Sequence, residues 1–80
     1  MLETNEIKHK DFYTACLLRA LGFVFQRIER GGEKYSVFVF LDPENKSKEV
    51  VAKYWSRDLK IEAKDLIDAI HDMKSILYSR

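Results

Sequence analysis

Phe23–Leu41, FVFQRIERGGEKYSVFVFL, decides the fold. Two runs rich in aromatic and β-branched residues flank Gly31-Gly32, and two glycines there permit the positive φ angles of a type I′ or II′ turn. The stretch reads as a β-hairpin. A two-residue loop would set the register: Arg30 facing Glu33, Glu29 facing Lys34, Ile28 facing Tyr35, Phe25 facing Phe38 and Phe23 facing Phe40. Alternation then puts Phe23, Phe25, Phe38 and Phe40 on one face and Val24, Ile28, Tyr35, Val37 and Val39 on the other. Both faces are apolar at the open end and polar toward the glycines. A two-stranded ribbon is marginal by itself. Helices packed on one side leave the second apolar face to meet a third strand, another helix or another chain. Phe23, Phe25, Ile28, Tyr35, Phe38 and Phe40 are therefore the candidate self-association surface, and a symmetric homodimer is the expected state.

Outward from the hairpin the pattern becomes helical. Asp11–Leu21, DFYTACLLRAL, is apolar on most sides and should be buried on more than one face. Asp11 suits its N-cap and Gly22 the left-handed position after its end, with Phe23 placed for the accompanying apolar contact. On the other side Asp42-Pro43-Glu44-Asn45 is turn chemistry that stops the strand. Residues 46–57 return to a helical pattern with Val50, Val51, Tyr54 and Trp55 on one broad face, starting at Ser47 or capped by Asn45. Leu59-Lys60-Ile61 reads equally as a connector or a short third strand. A last helix over 63–78 places Leu66, Ile70, Met73 and Leu77 at helical spacing, with Asp65 and Asp68 near its start and Lys74 near its end, as the helix dipole favours. Residues 1–8 read as a polar, frayed start.

These elements make an α+β chain: helix, antiparallel hairpin, then two helices packed on the sheet. With 80 residues there is room for one domain. A hydrophobic content of 46% and a net charge of +1 argue against disorder. Cys16 is the only cysteine, so an intrachain disulfide is excluded and a reducing cytoplasm is the expected setting. No apolar run approaches the roughly 20 residues of a membrane helix, and MLETNEIKHK lacks a signal-peptide core, so no membrane partner is expected. Fourteen basic against 13 acidic residues argue against strong non-specific nucleic-acid binding.

Catalytic and metal chemistry find little to stand on. His9 and Cys16 are the only sequence-near imidazole–thiol pair, but on one helix seven residues separate them by about 10.5 Å. Cys16 sits among Ala15, Leu17 and Leu18 and reads as a small buried apolar residue. Asp68, His71 and Asp72 share one side of the last helix, yet one helix offers neither a fourth ligand nor supporting contacts. With Asp65 they read more simply as a solvated acidic face. The serines form no nucleophile-elbow pattern, and the lone Gly-Gly is better used as a turn than as a phosphate loop. No cofactor, metal site or catalytic residue is expected.

The basic stripe is the strongest polar feature. Lys46, Lys53 and Lys60 recur every seven residues, with Arg57 one turn after Lys53 and Trp55 alongside to stack on bases. Lys46, Lys53, Trp55, Arg57 and Lys60 are the candidate nucleic-acid contacts. The simpler reading puts Trp55 in the core and the lysines on its solvated back.

The segments KDFYTACLLRALGF, IER, SVFVF, AKYW and DMKSILYSR together resemble a small uncharacterised domain family of bacteria and phages. Asp11, Phe12, Tyr13, Ala15, Leu18, Phe38, Val39, Phe40, Tyr54, Trp55, Lys74, Leu77 and Tyr78 carry the likeness, which covers about residues 9–78. The chain departs from the pattern at His9, where threonine is usual, and at Met73, where leucine is. The resemblance implies a domain of unknown function often linked to mobile elements, and it supplies no catalytic residues. The expected function is a non-enzymatic interaction module, homodimeric, binding a protein or small ligand around the hairpin; nucleic-acid binding through the basic stripe is the alternative.

Overall fold

The computed structural model describes residues 5–30 and 35–79. Its elements are β1 (Glu6–His9), α1 (Phe12–Ala20), β2 (Val24–Arg30), β3 (Ser36–Leu41), α2 (Ser47–Trp55) and α3 (Ala63–Tyr78). The fold is α+β, as the sequence predicts, on a sheet of order β1-β3-β2 with β3 antiparallel to both neighbours. The third strand is not Leu59-Lys60-Ile61, which is an irregular connector; it is Glu6–His9, from the segment expected to fray. The reason lies in β3. Phe38, Val39 and Phe40 are buried in succession, on both faces of the strand. A strand so buried has both backbone edges withdrawn from water, and each must find a hydrogen-bonding strand.

The hairpin forms, but not in the tight-turn register. Phe25 pairs with Phe40 and Ile28 with Phe38, and Arg30 pairs with Ser36. Residues 31–35 therefore intervene between the last paired positions, and the expected two-glycine turn lies outside the described residues. A bulge at Gln26 separates the Phe25–Phe40 and Arg27–Val39 pairs. One extra residue reverses the alternation. Ile28, expected opposite Phe25, thus joins it on the face packed against the core.

That face meets α1 and α3. Ala15, Cys16 and Leu18 of α1, Phe38 and Phe40 of β3 and Met73 of α3 form the buried core, with Ile7, Phe12, Phe23, Phe25, Ile28 and Ile70 packed around it. Phe25 and Phe40 pack edge to face at 5.4 Å, and Phe12 meets Phe38 likewise at 6.1 Å. The Asp11 carboxylate caps α1, accepting from the Thr14 N–H at 2.8 Å and the Thr14 hydroxyl at 2.9 Å. Gly22 ends it at φ 95°, where a glycine carries no strain.

The opposite face of the sheet is covered by charged side chains. Val39 lies between Lys8 and Arg27 on the flanking strands and is fully buried all the same. Four charged side chains roof it: Arg27 meets Glu6 at 2.9 Å and Glu29 at 2.7 Å, and Lys8 meets Glu29 at 3.2 Å. Hydrogen bonds from the Arg27 guanidinium hold the Glu6 and Glu29 carboxyls below their ordinary range, with Lys8 assisting. The aliphatic stems cover the apolar central strand while the charges stay wet. The second apolar face thus finds a third strand and a charged roof within one chain.

α2 ends in a Schellman motif: the Asp58 N–H donates to the Lys53 carbonyl at 2.9 Å and the Arg57 N–H to the Tyr54 carbonyl at 3.1 Å. Arg57 occupies the left-handed position at φ 69°, where glycine is usual. Arg57→Gly is expected to stabilise the domain by about 0.5–1 kcal/mol, raising the melting temperature by roughly 3–6 °C. A thermal melt that falls instead would show that the arginine side chain holds the loop.

Candidate functional site

Asp42 organises the junction of β1, β3 and α2. It is 2% exposed, and its carboxylate accepts the N–H of Lys46 and of Ser47, each at 2.9 Å. Its own N–H donates to the Asn5 carbonyl at 2.7 Å. Burial alone would push the Asp42 carboxyl up, but hydrogen bonds from Ser47, Lys46 and Asn45 outweigh it and hold the group below its ordinary value. One aspartate therefore ties the end of β3 to the start of both β1 and α2. The cap expected at Ser47 or Asn45 comes instead from this residue.

The Asn5–Asp42 bond also fixes the state of the β1 edge. In an antiparallel ladder hydrogen-bonded pairs alternate, so Ile7–Phe40 and His9–Phe38 are the next two. The backbone N–H and C=O groups of Glu6 and Lys8 point away from β3, and no described backbone group takes them. Beside this edge lies an open groove of about 450 Å³, lined by Ile7, Lys8 and His9 of β1 and by Ser47, Lys48, Val51 and Ala52 of α2, with Asn45. Lys48, Val51 and Ala52 lie on one helical stripe, and Trp55 continues it by one turn. The lining carries lysines and a histidine and no carboxylate. His9 sits half-buried at the rim; burial lowers its pKa and Asp11 partly restores it. Its lowered value means that protonation favours the unfolded chain, so its share of stability declines as pH falls through the unfolded value near 6.5.

Trp55 is not core. It is 71% exposed and packs edge to face on Tyr54 at 5.3 Å. Three strands about 4.8 Å apart give a face wide enough for two helices spaced 8–10 Å, roughly. α1 and α3 take that space and α2 is left at the margin, with Ser47 its one buried residue. The basic stripe is divided: Lys46 pairs with Glu44 at 3.1 Å and Lys53 with Glu49 at 3.3 Å, whereas Arg57 and Lys60 have no ion-pair partner among the described residues.

The other nominated residues fall elsewhere. Phe38 and Phe40 are core, and Phe23, Phe25 and Ile28 are partly buried against it. Tyr35 remains 46% exposed, with the Lys10 ammonium 4.4 Å above its ring. Cys16 is buried, and burial, reinforced by Asp11, pushes its thiol up to about 11, which keeps it protonated at neutral pH. On α3, Asp68 pairs with Lys64 at 3.2 Å and Asp72 with Arg19 at 3.7 Å. His71 is exposed beside them. Sequence reasoning missed the groove. Asp42 carried the available signal, because an aspartate just before Pro-x-Asn and a serine-led helix suits a cap at a distance.

A family profile described as a domain of unknown function, DUF5659, matches residues 4–79. The chain belongs to DUF5659. The match takes in every described element and agrees with the resemblance drawn from the sequence. No curated protein and no solved structure matches this DUF5659 chain. Among the described residues of the DUF5659 domain, no helix is long and apolar enough to cross a membrane.

Proposed function

We propose that the domain is a non-enzymatic interaction module that takes an extended polypeptide into the groove, adding it as a strand to β1. The observation that carries this reading is the groove itself. One wall is a strand edge whose outward backbone groups are taken by no described backbone group, and the other is a helix stripe ending in an exposed tryptophan. Strand addition draws affinity from main-chain hydrogen bonds and specificity from pockets for alternate side chains. Ile7, Val51 and Ala52 offer the apolar pocket, and Lys8 and Lys48 favour carboxylates. Trp55, Tyr54 and Arg57 are the residue types that most often dominate protein interfaces.

Selection of peptides from a displayed library tests it. The expected winners are extended and alternate apolar with acidic residues. Lys48→Glu and Trp55→Ala should each weaken them about ten-fold or more, with little change in melting temperature because both side chains are exposed. Peptides that bind both variants as well as the parent would place the site elsewhere.

The exposure of Trp55 beside Arg57 and Lys60 also favours a second reading, binding of single-stranded nucleic acid. Trp55 is the only tryptophan, so its emission reports an oligonucleotide directly. Phosphate contacts would make affinity fall steeply with salt. An affinity unchanged by Arg57→Glu with Lys60→Glu would end that reading.

A further inference from the structure

We propose that the strand added to β1 is β1 of a second copy of this chain, antiparallel about a two-fold axis through Ile7, so that two three-stranded sheets join edge to edge. The inference rests on the reading of the groove as a strand-addition site. The outward backbone groups belong to Glu6 and Lys8, and these must form the hydrogen-bonded pairs of any antiparallel extension. A two-fold axis through Ile7 pairs Glu6 with Lys8 of the other copy, twice. Ile7 then meets Ile7 of the other copy at a non-hydrogen-bonded position, where side chains approach most closely. The groove beside it offers Val51 and Ala52 as apolar cover.

Charge selects this register. A shift of the axis to Glu6 sets glutamate directly against glutamate, and a shift to Lys8 sets lysine against lysine. Like charges directly opposite are destabilising, opposite charges stabilising. The two nearest symmetric registers that keep the hydrogen bonds are thus both disfavoured. The incoming Glu6 also meets a groove lined by Lys8, His9 and Lys48 and by no carboxylate. The four-residue length of β1 keeps the contact small, so the dimer should be weak and concentration-dependent.

Sedimentation and native mass spectrometry of charge variants test the proposal. Glu6→Lys and Lys8→Glu each place like charges at both pairs and should weaken self-association about ten-fold or more. An equimolar mixture of the two should restore it as a heterodimer, because each lysine then faces a glutamate. Circular dichroism checks folding, which exposed ion pairs influence little. In a separate variant, Ile7→Cys should give an intermolecular disulfide under mild oxidation. Glu6→Cys should not, because its symmetry mates lie about 8 Å apart, beyond disulfide reach. Variants that dimerise like the parent, or a mixture that stays monomeric, would overturn the proposal. A monomeric parent that still binds the selected peptides would overturn it while leaving the groove reading intact. A monomeric parent that binds none would remove both.

Discussion

Phe40→Ala is expected to remove about 3–5 kcal/mol of stability, the largest single effect in the domain. Phe40 is fully buried on the central strand. It pairs with Ile7 on one side and Phe25 on the other, and its ring packs edge to face on Phe25 at 5.4 Å. Truncation leaves a cavity between the sheet and α1 that a three-stranded sheet cannot close by collapsing. Edge-to-face pairing adds about 0.5–1.5 kcal/mol to the loss. At about 0.05–0.15 kcal/mol per residue the whole domain has on the order of 4–12 kcal/mol, so the variant should be marginally stable at room temperature. Urea unfolding followed by circular dichroism measures it. Val24→Ala is the control: Val24 is 57% exposed, and its change should stay within about 0.5 kcal/mol. A Phe40→Ala variant that unfolded near the parent midpoint would mean that the core has a different centre.

Asp42→Ala should follow at about 2–4 kcal/mol, because it leaves the buried N–H of Ser47 and the part-buried N–H of Lys46 without an acceptor. Its effect is directional. α2 has few other anchors, so hydrogen exchange should show its amides losing protection while those of β3 and α1 keep theirs. The peptide binding proposed for the groove between β1 and α2 should be lost with it. The pH dependence follows from the lowered carboxyl. A group whose folded pKa lies below its unfolded value contributes fully above the unfolded value and loses that contribution as pH falls through the folded one. Asp42, Glu6 and Glu29 all shift in this direction. Melting temperature should therefore fall as pH drops below the ordinary carboxylate range, with Asp42, the buried one of the three, carrying most of the effect. Asp42→Asn should start lower at neutral pH and fall less, since one of the three groups no longer titrates. An equal fall in both proteins would show that Asp42 is not the source of the acid sensitivity.

Much of the architecture was legible in local chemistry. Asp11 and Gly22 bound α1 because capping and left-handed termination depend on a few neighbouring residues. Leu66, Ile70, Met73 and Leu77 placed α3 because a repeat near 3.6 residues over four turns has few other readings. The candidate site was far less legible. A weakly patterned tetrapeptide, EIKH, became a strand because Phe38–Phe40 needed a partner on each edge, a demand that arises across more than 28 residues of chain. The hairpin register depended on residues 31–35 all lying between the Arg30 and Ser36 pair, and then on the bulge at Gln26, neither of which the Gly-Gly pair announced. Trp55 looked like core because its helix is amphipathic, and it is exposed because two other helices had already filled the sheet face. Sequence by itself thus determined the class, the helices and the existence of a hairpin, all of them set by interactions within a turn or two of chain. Only the tertiary structure decided which strand lies at the centre, which helix is left at the margin and where a groove opens, because those outcomes follow from competition for one small apolar face.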